Sequence, residues 1–153
     1  MGVRVQAEDF DLGAELAALR AGRTDIGALV SFTGLVRDAN AGAGGITGLE
    51  LEHYPAMTRK ALEAIEAEAG ARWPLRASLI IHRYGKLGPG DQIMMVATAS
   101  ESRGAAFAAA EFLMDYLKSR APFWKKETRP DGARWVEARA EDEAALAAWG
   151  ERR

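Results

Sequence analysis

Lys118-Ser119-Arg120-Ala121-Pro122-Phe123-Trp124-Lys125-Lys126-Glu127 holds the change of period on which the reading of this chain turns. Upstream, Ala106, Ala110, Leu113 and Leu117 recur at helical spacing, and the small alanines allow close approach to a sheet. Pro122 lacks an amide hydrogen and disfavours helix at the preceding residue, so the helix stops and the chain restarts extended. Beyond it Phe123, Lys125 and Glu127 alternate with Trp124 and Lys126, the period of a strand. Four cations and one carboxylate thus surround a Pro-Phe-Trp core. An ammonium beside aromatic bulk is costly to desolvate, which makes a lysine there a candidate nucleophile or anion clamp. The plainer alternative is that Lys118 complements a helix C-terminus while Lys125 and Lys126 guard a sheet edge.

Outward from this stretch the pattern alternates between strand and helix. Val3 and Val5 predict a first strand. Asp11 or Asp9 caps a helix near 11–21 with Leu12, Leu16 and Leu19 on one face, and Gly22 ends it. Ile26 to Val36 is an apolar run that reads as a buried strand. Asn40 to Gly45 is a glycine-rich loop, without the Gly-Lys-Ser/Thr of a phosphate loop. Ile46 to His53 alternates as a strand. Pro55 opens a helix to about Gly70, with Met57, Ala61, Ile65 and Ala69 near helical spacing. Leu75 to Tyr84 and Gln92 to Ala99 form an antiparallel pair around the turn Leu87 to Asp91. Ser100 or Ser102 caps the longest helix, about 102–119. Phe123 to Thr128 and Ala133 to Ala138 form a hairpin about Pro130-Asp131-Gly132, and 141–149 is a short Ala-rich helix. With no repeat, linker or composition break, 1–153 is expected to be one α+β domain.

Bulk properties exclude several classes. A net charge of −2 over 153 residues leaves no basic excess for a dedicated nucleic-acid binder. No apolar run approaches a membrane span, and the N-terminal residues show neither a signal-peptide core nor a myristoylation pattern, so a cytoplasmic protein is expected. The absence of cysteine removes disulfides, thiolate metal sites and thiol nucleophiles. The two histidines, His53 and His82, lie in different segments with no metal-ligand spacing, so no metal and no cofactor are expected.

Lys118 follows Phe107, Glu111 and Met114 on a stripe bordering the core, and Lys125 shares a strand face with Glu127. Lys126 points the other way and is expected in solvent. Arg37 closes the run Phe32-Thr33-Gly34-Leu35-Val36-Arg37, where a guanidinium suits a phosphate or forms a plain ion pair with Asp38. Arg103 sits in the first turn of the long helix, against the macrodipole, where it either helps backbone amides hold an anion or is a tolerated surface residue. His53, expected to pack beside Tyr54, and His82 read as structural, and the tryptophans as core or interface anchors. Arg103 and Lys118 are fifteen residues apart on one helix, about 22 Å along its axis, so one small ligand cannot touch both. If both serve one site, a second subunit must supply one of them.

Five blocks, in order, carry a resemblance: Phe32 to Arg37, Leu51 to Met57, His82 to Gly90, Asp115 to Lys125 and Arg134 to Glu137. From about Val3 to Trp149 the chain resembles the MoaE family, the catalytic (large) subunit of molybdopterin synthase. That resemblance implies an α/β hammerhead-like fold, with antiparallel sheet and hairpins packed by three main helices. It implies a homodimer within a heterotetramer, each end binding a small ubiquitin-like sulfur carrier whose Gly-Gly tail bears a thiocarboxylate. The implied substrate is cyclic pyranopterin monophosphate, converted by two sulfur transfers to the molybdopterin dithiolene. Lys118 and Lys125 match the family's essential lysines. Arg37 and Arg103 match its anion-binding arginines, Arg103 coming from the other protomer. Ser102, Phe32, Met114 and Glu127 join them as substrate-binding residues; for Phe32 and Met114 core packing is an equal reading. A cysteine-free sulfurtransferase cannot hold a persulfide, which suits a thiocarboxylate donor. Ser102 stands where the family usually has histidine, removing a proton carrier and an anion contact, yet turnover is expected to persist. The competing readings are a dimeric scaffold that binds the tail without turnover, and a small anion- or nucleotide-binding module.

Overall fold

Two four-stranded sheets divide the chain in the computed structural model, which describes residues 2–37, 48–129, 132–136 and 140–151. The elements are β1 (Gly2–Gln6), α1 (Leu12–Arg20), β2 (Ala28–Leu35), β3 (Gly48–His53), α2 (Pro55–Arg72) and β4 (Leu75–Arg83). They continue as β5 (Gly85–Leu87), β6 (Gln92–Ser100), α3 (Arg103–Ser119), β7 (Phe123–Arg129), β8 (Gly132–Val136) and α4 (Ala140–Glu151). One sheet runs β1-β4-β6-β2, the other β5-β3-β7-β8. Among the described residues only β1 and β4 pair in parallel, which needs the long crossover through α1, β2, β3 and α2. The α+β class holds, with two sheets and four helices.

Local chemistry accounts for most boundaries. Asp11 accepts the Ala14 amide hydrogen at 2.9 Å and caps α1, a bond of about 1 kcal/mol. Gly22, at φ 68°, supplies the left-handed turn just past that helix. Leu12, Leu16 and Leu19 cover Phe10, Leu79, Ile81 and Met95 on one face of the first sheet. Of the four α2 residues at helical spacing, Ile65 and Ala69 are buried while Met57 and Ala61 are not. The buried residues are Thr58, Leu62, Ile65, Glu66 and Ala69, and Met57 is half exposed. A strict four-residue step advances 400° per repeat and drifts off one face, whereas the real stripe mixes steps of three and four. At 18 residues α2 also exceeds α3, which has 17.

Glu66 is the buried carboxylate of α2, and it ties the helix to two strands. Its Oε2 accepts from Ser78 Oγ at 2.7 Å and from the Gly2 amide at 3.0 Å. Glu66→Ala is expected to cost about 2–3 kcal/mol, because buried Ser78 loses its acceptor and the half-buried Gly2 amide loses its own. The urea midpoint should fall with the slope unchanged; a shift under 0.5 kcal/mol, roughly the surface-mutation range, would contradict this.

The other face of the first sheet carries α2 and α3. Ile80, Met94 and Val96 meet Leu62, Ile65, Phe112 and Leu113 there. Thr98 Oγ1 donates to the Ala106 carbonyl at 2.6 Å, drawing the alanine-rich start of α3 onto β6. Strand β2 is not the buried strand its apolar run suggests. It lies at the sheet edge beside β6, with Phe32 and Leu35 exposed. A continuous apolar run signals cover on both faces but cannot say whether the chain itself supplies it. The pairing of β4 with β6 is antiparallel as expected, but the connection contains β5, which joins β3 in the second sheet. The glycine-rich loop 40–45, the turn residues 130–131 and the end of the last strand at 137–138 lie outside the described residues.

Candidate active site

Strand alternation places the groups of the second sheet. Leu51 stands opposite Lys125, His53 opposite Phe123 and Leu49 opposite Glu127, so Phe123, Lys125 and Glu127 share a face with His53. Trp124 and Lys126 take the other face, where Lys126 lies 5.9 Å from the Trp135 ring. Lys126 is half-buried rather than fully solvated, because that exposed indole covers it. A cleft of about 430 Å³ lined by Glu52, His53, Tyr54, Trp124 and Trp135 opens on this side and includes neither Lys118 nor Lys125.

His82 joins the two sheets. It ends the buried run of β4, opposite Met94, and faces α3. Its ring stacks on Phe123, centroids 3.7 Å apart and planes at 17°. Phe123 in turn stacks on His53 at 5.9 Å, and His53 meets Tyr84 at 4.3 Å. His53 therefore packs on Tyr84 and Phe123, not on Tyr54, whose ring turns to Trp124. The His82 Nδ1 lies 2.8 Å from the Arg83 carbonyl, an acceptor only, so Nδ1 carries the hydrogen and Nε2 the lone pair.

The charges around His82 locate the lysines. Burial pushes its pKa down to about 4, the Arg83 carbonyl works against this, and Lys125, Lys118 and His53 push it further down. Lys125, from β7, and Lys118, in the last turn of α3, both lie close enough for their charges to bear on this neutral imidazole. Burial also lowers His53, with Glu52 opposing. Lys118 is exposed and, among the described residues, has no hydrogen bond or ion pair; Lys125 is half-buried in its strand.

The remaining candidates divide between two ends of α3. Gly34 pairs with Met94, which pairs with His82, so β2 reaches the lysine end of the sheet. The Phe32 ring lies over Gly34 on that face, with 43% of the residue exposed. Arg37 follows at the same end, exposed, just past Val36, whose amide hydrogen goes to the Asp91 carbonyl. Met114 packs against the main core, and Glu127 lies two residues beyond Lys125. Ser102 and Arg103 sit at the opposite end of α3, both exposed. Ser102 occupies the cap position but makes no side-chain cap bond, and Ser100 instead donates to the Pro74 carbonyl at 2.9 Å. Sequence reasoning missed the part of His82 and Phe123; the alternation of β4 put His82 on the core face, but only the pairing of two sheets reveals what it touches.

Known proteins with this fold agree on its family. Residues 5–120 match the family model described as MoaE protein. A molybdopterin synthase catalytic subunit of Ralstonia nicotianae is 64% identical over 148 residues, 97% of this chain and 84% of that one. The solved molybdopterin biosynthesis MoaE protein of Burkholderia ambifaria superposes with a TM-score of 0.82 at 61% identity, covering 97% of both chains. The crystal structure of molybdopterin synthase from Staphylococcus aureus gives 0.79 at 31% identity, over 87% of this chain and 95% of that one. These likenesses make the chain an enzyme of the sulfurtransferase class. It belongs to the MoaE family, the catalytic subunit of molybdopterin synthase in molybdenum cofactor biosynthesis.

Proposed function

We propose that this chain, a single domain over 1–153, transfers sulfur from the C-terminal thiocarboxylate of a small ubiquitin-like subunit to cyclic pyranopterin monophosphate. The observation that carries the reading is the stack of His82 on Phe123, which brings β7 with Lys125 to the end of β4, near Lys118 in the last turn of α3 and at the end of the sheet that Arg37 also reaches. Two ammonium groups beside a buried uncharged ring favour anions, and both the thiocarboxylate and the cyclic phosphate are anionic. In this reading Lys118 contacts the thiocarboxylate and the pterin, as an acid/base group or a transient acyl acceptor. Lys125 offsets the charge that develops as sulfur leaves the acyl carbon. Arg37 holds the phosphate, Phe32 and Met114 shape the pterin pocket, and Glu127 and Ser102 contact substrate. The setting is cytoplasmic; among the described residues no helix is long and apolar enough to cross a membrane.

A homodimer, itself the core of a heterotetramer with two small subunits, completes the site. Two observations support it: β2 is an edge strand with Phe32 and Leu35 exposed, and Phe107 on α3 is 61% exposed. A two-fold axis beside β2 runs a second α3 the opposite way and carries the partner's Arg103 to the Lys118 end. The test combines turnover with complementation. The protein, thiocarboxylated small subunit and cyclic substrate are expected to yield dithiolene, whereas Arg103→Ala and Lys118→Ala dimers each fail. Unfolding and refolding the two variants together should restore about a quarter of wild-type activity, since half the dimers are mixed and each has one intact site. No recovery would refute the shared site; tail binding without any wild-type product would favour the scaffold.

A further inference from the structure

Helix α4 lies beyond the residues matched by the family model, yet it grips α3 one turn before Lys118. Its Trp149 is 6% exposed and belongs to the main core, edge-on to Trp73 and Phe112. Arg72 Nη1 donates to the Trp149 carbonyl at 3.1 Å, fixing the helix end from α2. The indole Nε1 reaches out of this core and donates to Asp115 Oδ2 at 2.6 Å. Nearby, Arg120 pairs with Glu143 of α4 at 3.1 Å.

Asp115 and Lys118 are three residues apart on one helix, a spacing at which a carboxylate and an ammonium are neighbours. They do not pair: Lys118 has no ion pair among the described residues, while Asp115 is turned to the indole. The other titratable groups of the elements packed here are Lys125 and Glu127 of β7 and the uncharged His82 of β4, with Glu111 two turns back and Arg120 two residues on along α3. Asp115 is the carboxylate nearest to Lys118 along α3.

We propose that Trp149 is a positioning residue that holds the Asp115 carboxylate off Lys118 and so keeps that ammonium available to an anionic substrate. The inference rests on the reading of Lys118 given above. It separates an indole that merely fills the core from one whose hydrogen bond matters: phenylalanine keeps most of the packing and loses the donor. Without it, Asp115 turns to Lys118 and competes with the incoming anion, which acts on KM more than on kcat.

The experiment uses the full-length protein with its small subunit and cyclic substrate, and compares Trp149→Phe, Asp115→Asn and the double variant. Trp149→Phe is expected to raise KM about twofold, and to slow acetylation of Lys118, read by peptide mass spectrometry, by a similar factor. Adding Asp115→Asn to Trp149→Phe should restore both, because no carboxylate remains to turn. A purely structural role predicts no such rescue, and its absence overturns the proposal. Asp115→Glu provides an arm without a core change, since the longer carboxylate reaches Lys118 past the indole; it should show the same two losses even where Trp149→Phe does not fold. Unaltered Lys118 acetylation in Asp115→Glu also overturns the proposal. A Lys118→Ala variant with normal turnover would instead remove the assigned role of Lys118, while the acetylation rates would still report on Trp149.

Discussion

Lys118→Ala is expected to lower dithiolene formation on the order of 10²–10³-fold while leaving the thermal midpoint almost unchanged. The magnitude is that of removing one positioned hydrogen-bond donor and charge from the reacting group. The unchanged stability follows from the structure: Lys118 is exposed, and none of the ion pairs among the described residues includes it. Lys125→Ala should match it in rate but not in stability. Lys125 is half-buried in β7 between its partners Leu51 and Val136, so its methylenes contribute packing that alanine lacks. Lys118→Arg should not rescue, because a guanidinium keeps its proton and cannot serve as an acid/base group or acyl acceptor. Single-turnover sulfur transfer, with a melting curve on each variant, checks all three. A Lys118→Ala protein within twofold of wild type would remove the assigned role.

The second large effect is on stability against pH. His82 takes up a proton near pH 6.5 in the unfolded chain but only near 4 when folded, chiefly because the ring is buried. Between those values the unfolded state binds the extra proton, so stability falls as pH falls from 6.5 toward 4 and is restored on raising it. The gap corresponds to about 3 kcal/mol. His82→Phe should lose that slope: it keeps an aromatic ring to stack on Phe123 and has nothing to titrate. Urea unfolding of both proteins at pH 7, 5.5 and 4 reads the difference directly. Parallel curves would mean that His82 does not carry the acid sensitivity, whatever the absolute stabilities. The comparison cancels the carboxylates common to both proteins, including Asp9, which a hydrogen bond from Gln92 lowers, and Asp25, which Arg23 lowers.

Particular residues mark how far the sequence could be read. Pro122 and the alternation after it place the end of α3 and the start of β7 correctly, because both effects are local to a few backbone torsions. Asp11 and Pro55 likewise mark their helix starts. The face assignment of Lys125 with Glu127 is correct for the same reason, since alternation is a property of one strand. On α2 the helical spacing finds Ile65 and Ala69 but not Leu62, since an alanine-rich helix offers several nearly equal stripes and the neighbouring sheet chooses among them. Strand β5 was missed because three residues, Gly85 to Leu87, carry too short a pattern to stand out.

Local pattern marked the helices, every strand but β5, and the candidate lysines and arginines, because these are matters of torsion and short period readable within a few residues. The need for a sulfur donor other than cysteine followed from the family resemblance. Tertiary packing decided that His82, a core histidine by its strand face, stacks on Phe123 two residues before Lys125, within reach of the charge of Lys118. It alone decided that β2 ends as an open edge, and that an indole 34 positions further along holds the carboxylate beside Lys118. These depend on which distant surfaces pack together, and that is set by the summed burial of many side chains rather than by any one stretch of them.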